Sequence, residues 1–174
     1  MNKHVGIERV LISEEEIQKR IKELASQLDK EYVGKKPLFV CILKGSFLFF
    51  SDLVKAMSIP VFVDFVSVTH DEKGNVKFKK DFETNIKGKH VVLVEDILDS
   101  GNTLYALKKN LAERWPASVK VVTMLEKQSR RDAPISSDFT GFTINDEFAV
   151  GYGLDYAGEY RNLPYIGCLG HTRV

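Results

Sequence analysis

Cysteine, proline, net charge and long apolar runs are all scarce in this chain. Only two of its 174 residues are cysteine, Cys41 and Cys168. Cys41 lies inside the apolar run Leu38-Phe39-Val40-Cys41-Ile42-Leu43, where a buried small hydrophobe is expected rather than a disulfide partner. Five prolines and 12 glycines exclude collagen-like and low-complexity classes. Lys and Arg number 25 against 24 Asp and Glu, a formal charge of +1, so the whole chain has no electrostatic footprint for nucleic acid or an anionic membrane. Any polyanion site must therefore be local. The apolar stretch from Phe47 is broken by Ser51, Asp52 and Lys55 and falls far short of the roughly 20 residues of a membrane span. Met1-Asn2-Lys3-His4 leads into no apolar segment of the secretory kind, and the expected location is the cytoplasm. Internal repeats are missing too.

What is present is enough for one core. Hydrophobic residues make up 44% and charged residues 28%. Area scaling for a chain of this size puts about 70% of its unfolded surface out of water, which suits a single self-sufficient domain. Ser13-Glu14-Glu15-Glu16 reads as a capping box with acids in the first turn, opening an amphipathic helix through Ile17, Ile21, Leu24 and Leu28. The three glutamates are taken as a solvated helix start rather than a metal cluster. Leu38 to Leu43 is a strand-length apolar run, followed by a glycine turn and a helix from about Phe47 to Met57. Val61 to Val68 has the composition of a strand, and Thr69 to Gly88, polar and lysine-rich, reads as an arm or mobile loop. His90 to Val94 and Val119 to Leu125 are further apolar strands around a helix from Thr103 to Leu111. Strands hydrophobic on both faces that alternate with helices predict an α/β fold with a parallel sheet covered on both sides. Residues beyond Lys127, including Phe139 to Ile144 and Phe148 to Tyr152, read as a small layer appended to one end of that sheet, without a linker.

The chemistry concentrates in Val91-Val92-Leu93-Val94-Glu95-Asp96-Ile97-Leu98-Asp99-Ser100-Gly101-Asn102-Thr103-Leu104. Ligands of open parallel sheets bind beyond the carboxyl ends of the strands, where Glu95, Asp96 and Asp99 fall. Asp99 to Thr103 then join short hydroxyl side chains, a glycine that permits close approach, and the amides of a helix N-terminus. That combination suits a phosphate; the purely structural alternative makes the acids solvated loop charges, with Asp99 or Ser100 as a helix cap. Neither a Walker A lysine nor the companion glycines of a dinucleotide fingerprint is present. Two carboxylates just before a phosphate loop would repel the anion unless they address ribose hydroxyls and a hard cation such as Mg²⁺. A ribose 5-phosphate is the implied ligand.

This segment resembles the phosphoribosyl pyrophosphate signature of the type I phosphoribosyltransferases. Leu43-Lys44-Gly45-Ser46 is similar to their pyrophosphate loop. Glu126-Lys127, Phe148-Ala149-Val150-Gly151-Tyr152-Gly153-Leu154-Asp155-Tyr156 and Arg161 resemble the base-binding hood of the hypoxanthine-guanine branch. Tyr160-Arg161 and Leu163-Pro164-Tyr165 look like its bacterial members, and the match runs over roughly residues 8 to 168. The resemblance implies a type I phosphoribosyltransferase fold: a core over about 38–126, a hood from the N-terminal segment and about 127–174, and a mobile loop over about 69–82. It also implies a cis peptide between Leu43 and Lys44.

Carried over residue by residue, the resemblance makes Asp99 the general base for the purine N7 proton. Glu95 and Asp96 would hold the ribose hydroxyls and Mg²⁺, with Asp99, Ser100, Gly101, Asn102 and Thr103 around the 5′-phosphate. Lys44, Gly45 and Arg161 would take the pyrophosphate. Lys127, Phe148, Ala149 and Asp155 would take the base, with Asp155 also placed to hold a second Mg²⁺ through water. Lys127 carries only donors and can satisfy a 6-oxo group but not the amino hydrogens of adenine, so 6-oxopurines are expected. The implied partners are phosphoribosyl pyrophosphate and a 6-oxopurine base, in a homodimer or homotetramer, with no nucleic acid and no membrane. Arg130-Arg131 and Trp115 are read as surface or packing residues. The sequence departs from the family in one place: no Ser-Tyr pair stands in the loop around Val66 to Glu72. A xanthine-preferring enzyme and a non-catalytic nucleotide-sensing regulator on the same fold are the competing readings.

Overall fold

The computed structural model describes residues 6–71 and 76–170, which hold nine strands and three α-helices. Helix α1 (Glu14–Glu31) begins on the expected capping box: Glu16 N donates to Ser13 Oγ at 3.3 Å while Ser13 N donates to the Glu16 carboxylate at 2.8 Å. Ile17, Ile21, Leu24 and Leu28 are buried, each contributing about 1.5–3 kcal/mol. The helix runs one turn past Leu28 because Tyr32, four residues on, is also buried and its amide donates to Leu28 O at 3.0 Å.

The main sheet takes β2 (Leu38–Leu43), β3 (Phe62–His70), β4 (Val76–Lys80), β5 (His90–Leu98), β6 (Ser118–Glu126) and β7 (Phe139–Thr143), in the order β4-β3-β2-β5-β6-β7. All neighbours are parallel except β4 against β3, so the sheet is mixed. Its central strands β2, β5 and β6 present apolar residues to both faces. Phe39, Cys41, Val92 and Val94 pack in the core with α1 and α2 (Phe47–Ala56), while Leu38, Val40, Val91 and Leu93 pack with α3 (Asn102–Ala112). A second sheet of three antiparallel strands, β1 (Ile7–Ile12), β9 (Ile166–Leu169) and β8 (Ala149–Val150), forms the hood.

Two expectations change. The segment read as an arm contains β4, paired with β3 from Ser67 opposite Lys80 to His70 opposite Val76. Its Val76 and Phe78 alternate with exposed lysines, and Phe78 packs against the α3 side of the core, which makes it a one-sided edge strand. Residues 72–75 of the expected mobile loop lie outside the described residues. The second change is that Phe139–Thr143 pairs with β6, so the sheet extends past residue 126 and the hood is smaller than expected. Trp115 is on the surface, 75% exposed.

Strand order fixes where a ligand can sit. After β2 the chain places β3 on one side of it and β5 on the other, so the winding reverses between β2 and β5. The loops leaving these two adjacent strands diverge to opposite faces and open a crevice at their carboxyl ends. Those loops are Lys44–Ser46 and Asp99–Gly101.

Candidate active site

A cavity of about 290 Å³ opens at this point, between Ile42 and Leu43 of β2, Val68 of β3, and Glu95, Leu98, Asp99, Ser100, Gly101 and Thr103. The cap of α3 is Gly101, at φ +82°, rather than Asp99 or Ser100. A glycine cap offers no side-chain acceptor of its own, and the one that Ser100 Oγ offers to Asn102 N is long at 3.5 Å, which keeps that end of the helix suited to an anion. A methyl group added at Gly101 would lie 2.6 Å from Ile135 Cγ2, so the loop is also pressed against the segment behind it. Asn102, expected with the phosphate loop, is exposed and does not line the cavity.

Glu95 and Asp96 both sit at the end of β5. Asp96 N donates to Glu95 Oε1 at 3.2 Å, and Ile97 N donates to Asp96 Oδ1 at 2.7 Å. Burial and then the Asp96 charge push Glu95 well above the usual carboxylate range, and burial raises Asp96 as well. Asp96 lies directly over Gly45: a Cβ there would be 1.6 Å from Asp96 Oδ2. Gly153, at φ +99°, in turn presses on Gly45, where its Cβ would be 1.9 Å from the carbonyl oxygen. Three segments far apart in sequence thus meet at two glycines. The Leu43–Lys44 peptide is cis, as the resemblance implies, and Lys44 itself is exposed.

The raised Glu95 has a consequence for stability. A carboxyl whose folded pKa exceeds its unfolded value contributes stability below the unfolded pKa and loses it as pH rises through the folded one. Ligand-free Glu95→Gln should therefore melt above the parent at about pH 8, with the gap closing toward about pH 4.5. Thermal melts in chelator at both pH values check this; an equal gap at both would contradict it.

The hood supplies the remaining expected residues. Arg161 and Asp155, assigned separately to pyrophosphate and metal, form an ion pair at 2.6 Å, and Arg161 Nη1 donates to Gly153 O at 2.6 Å. Phe148 and Tyr156, each 52% exposed, meet edge to face with centroids 5.6 Å apart, leaving an aromatic surface for a planar ligand. Ala149 follows Phe148 in β8. Lys127 is 5% exposed at the end of β6, and its amide donates to Leu98 O at 3.0 Å.

Sequence reasoning missed several supports. Of the two readings, surface or packing, Arg131 takes the second: it pairs with the buried Glu126 at 2.9 Å, and Thr140 Oγ1 donates to the other Glu126 oxygen at 2.8 Å. The amides of Asp132 and Ala133 donate to Ser100 O at 3.0 and 3.1 Å, so this segment backs the phosphate loop. A carboxylate ending the mostly apolar strand β6 was the available signal, since once buried it requires a cation nearby. Tyr152 OH donates to Asp52 Oδ2 at 2.7 Å, and Gln18 Nε2 donates to the same oxygen at 3.2 Å, tying the glycine loop of the hood to α2 and α1.

The model of the phosphoribosyl transferase domain matches residues 12–157. The chain is 48% identical to the hypoxanthine-guanine phosphoribosyltransferase of Bacillus subtilis, over 97% of this chain and 96% of that one. It is 42% identical to the hypoxanthine-guanine-xanthine phosphoribosyltransferase of Tritrichomonas foetus, over 94% and 92%. A variant of the Trypanosoma cruzi hypoxanthine phosphoribosyltransferase, solved with the product IMP, superposes with a TM-score of 0.94 at 36% identity, covering 98% of this chain and 94% of that one.

Proposed function

Because the chain belongs to the phosphoribosyl transferase domain family, we propose that it transfers the 5-phosphoribosyl group of phosphoribosyl pyrophosphate to hypoxanthine or guanine. The products are IMP or GMP and pyrophosphate, the outcome of purine salvage. The observation that carries this reading is the convergence of Glu95, Asp99 and the glycine-capped start of α3 on one cavity at the sheet's switch point.

The 5-phosphate occupies the amides and hydroxyls of Ser100 to Thr103. Glu95 and Asp96 face the ribose hydroxyls. As pyrophosphate leaves, the anomeric carbon becomes oxocarbenium-like and the purine nitrogen N9 attacks it, while Asp99 takes the proton from N7. Lys44, the Gly45 amide and Arg161 meet the negative charge on the departing pyrophosphate. The Asp155–Arg161 pair orients that guanidinium beside Gly153. Phe148 stacks on the base, and Lys127 donates to its 6-oxo group. Closure over the reacting centre is assigned to the β3–β4 hairpin, which already lends Val68 to the cavity.

Mg²⁺ fits the carboxylate pair. Among the described residues no three His, Cys, Asp or Glu side chains form a cage. Mg²⁺ does not require one, since it takes one or two carboxylates together with substrate phosphates and water. Two half-buried adjacent carboxylates, both raised by burial, are also a site where a cation relieves repulsion. Bound there, Mg²⁺ would neutralise charge on the pyrophosphoryl group. Assembly as a homodimer or homotetramer belongs to the same reading, and Phe62, Val63 and Phe65 of β3 offer exposed apolar surface for it.

Lys127 carries the choice of base. Lys127→Gln supplies an acceptor as well as donors, so discrimination between hypoxanthine and adenine should narrow by about tenfold or more. Parallel kcat/KM values for the two bases measure it, and an unchanged ratio would remove Lys127 from the 6-position. The relative named for xanthine keeps that base in the substrate panel.

A further inference from the structure

Four charged side chains of alternating sign run in a line beside the base subsite. Lys127 Nζ is 3.6 Å from Asp146 Oδ1, Arg130 Nη1 donates to the same oxygen at 3.2 Å, and Arg130 Nε is 3.5 Å from Asp99 Oδ1. The outer members are the two groups assigned to adjacent atoms of one purine edge, Lys127 to the 6-oxo group and Asp99 to N7. The inner two, Arg130 in the short 3₁₀ turn Gln128–Arg130 and Asp146 in the turn after β7, have no role in the reaction as described above.

We propose that Arg130 and Asp146 are positioning residues that set the spacing of Lys127 and Asp99 for a 6-oxopurine; the inference rests on the proposed transferase function. The distances separate holding from occupying. The central contact is a hydrogen bond, whereas the two outer contacts, at 3.5 and 3.6 Å, are ion pairs too long to be good hydrogen bonds. Asp99 Oδ1, shielded from solvent, has no hydrogen-bond partner among the described residues. The line therefore orients both groups by charge and leaves a Lys127 donor and a Asp99 acceptor for the ligand. Exposure argues in the same direction. Arg130 and Asp146 side chains are 53% and 56% exposed, and an ion pair that wet adds little to stability. Its energetic value lies instead in the 7%-exposed Lys127 ammonium, for which Asp146 is the carboxylate partner.

The test uses steady-state kinetics of the full chain carrying Asp146→Asn, Arg130→Gln, Arg130→Lys and the Asn/Gln double substitution. Asp146→Asn should raise KM for hypoxanthine and guanine about three- to tenfold, the range of coupled polar neighbours, while KM for phosphoribosyl pyrophosphate stays within about twofold. Arg130→Gln should lower kcat by a similar factor, Arg130→Lys should restore most of it, and the double variant should lose less than the product of the single losses. Melting temperatures within about 2 °C of the parent would separate this from a folding defect. A fall in KM for the base on removing either charge would overturn the proposal, because the line would then be blocking the subsite. So would equal rises in KM for both substrates, or full multiplicativity in the double variant. If the parent enzyme fails to turn over at all, the transferase reading is what has failed.

Discussion

Asp99→Asn is expected to lower turnover by about 10² or more, the loss typical of a positioned general base, while phosphoribosyl pyrophosphate binds with little change. Asp99 lies at the end of β5 on the wall of the cavity, with one carboxylate oxygen unengaged by any hydrogen bond among the described residues. Asparagine keeps the shape but cannot accept a proton, so the ground-state complex survives while the N7 proton stays in place during attack. Single-turnover rates and calorimetric binding of phosphoribosyl pyrophosphate separate the two effects. Unchanged turnover would remove Asp99 from the role; lost binding would make it a ligand for the phosphate or sugar instead.

A comparable loss is expected from one methyl group. In Gly45→Ala the new Cβ would lie 1.6 Å from Asp96 Oδ2 and 2.6 Å from its Cγ, so the carboxylate or the loop must move. Asp96 cannot swing freely, because Ile97 N holds its other oxygen at 2.7 Å. The loop cannot retreat either, because Gly153 already stands against the Gly45 carbonyl. Displacement of about 1 Å between reacting groups costs about 10²-fold, and kcat/KM for phosphoribosyl pyrophosphate should fall by at least that much. Overpacking adds about 1–3 kcal/mol of destabilisation, which a denaturant titration would detect. Wild-type kinetics in Gly45→Ala would mean that the Asp96–Gly45 contact does not hold the site.

The two variants probe parts of the molecule that differ in how far they could be read in advance. The sheet was legible because β2 is an unbroken apolar run and β5 and β6 carry the apolar stretches Val91–Val94 and Val121–Leu125, the second interrupted only by Thr123, a composition that suits strands covered on both faces. The phosphate loop was legible for a local reason: acids, a hydroxyl, a glycine and a helix start fall within nine consecutive residues. β4 was obscured because Val76 and Phe78 alternate among lysines over only five residues, and an edge strand needs no more apolar content than that. β7 was assigned to the hood because nothing in Phe139 to Thr143 states which sheet it joins; pairing with β6 is a long-range choice. The same limit hid the Asp96–Gly45–Gly153 contact and the line from Lys127 to Asp99. Each joins residues that are polar or small, whose partners lie tens of positions away, and neither leaves a periodic trace. For Arg131 the sequence held a partial signal, a glutamate closing the apolar stretch of β6, but which cation answers it is set by the fold.

Initial rates with phosphoribosyl pyrophosphate and Mg²⁺ against hypoxanthine, guanine, xanthine and adenine in parallel would show whether this chain is a 6-oxopurine transferase. Nucleotide formation with hypoxanthine or guanine, dependent on Mg²⁺ and absent with adenine, is the result this site predicts. Nucleotide binding without turnover of any base would contradict it and point to a regulator built on the same fold.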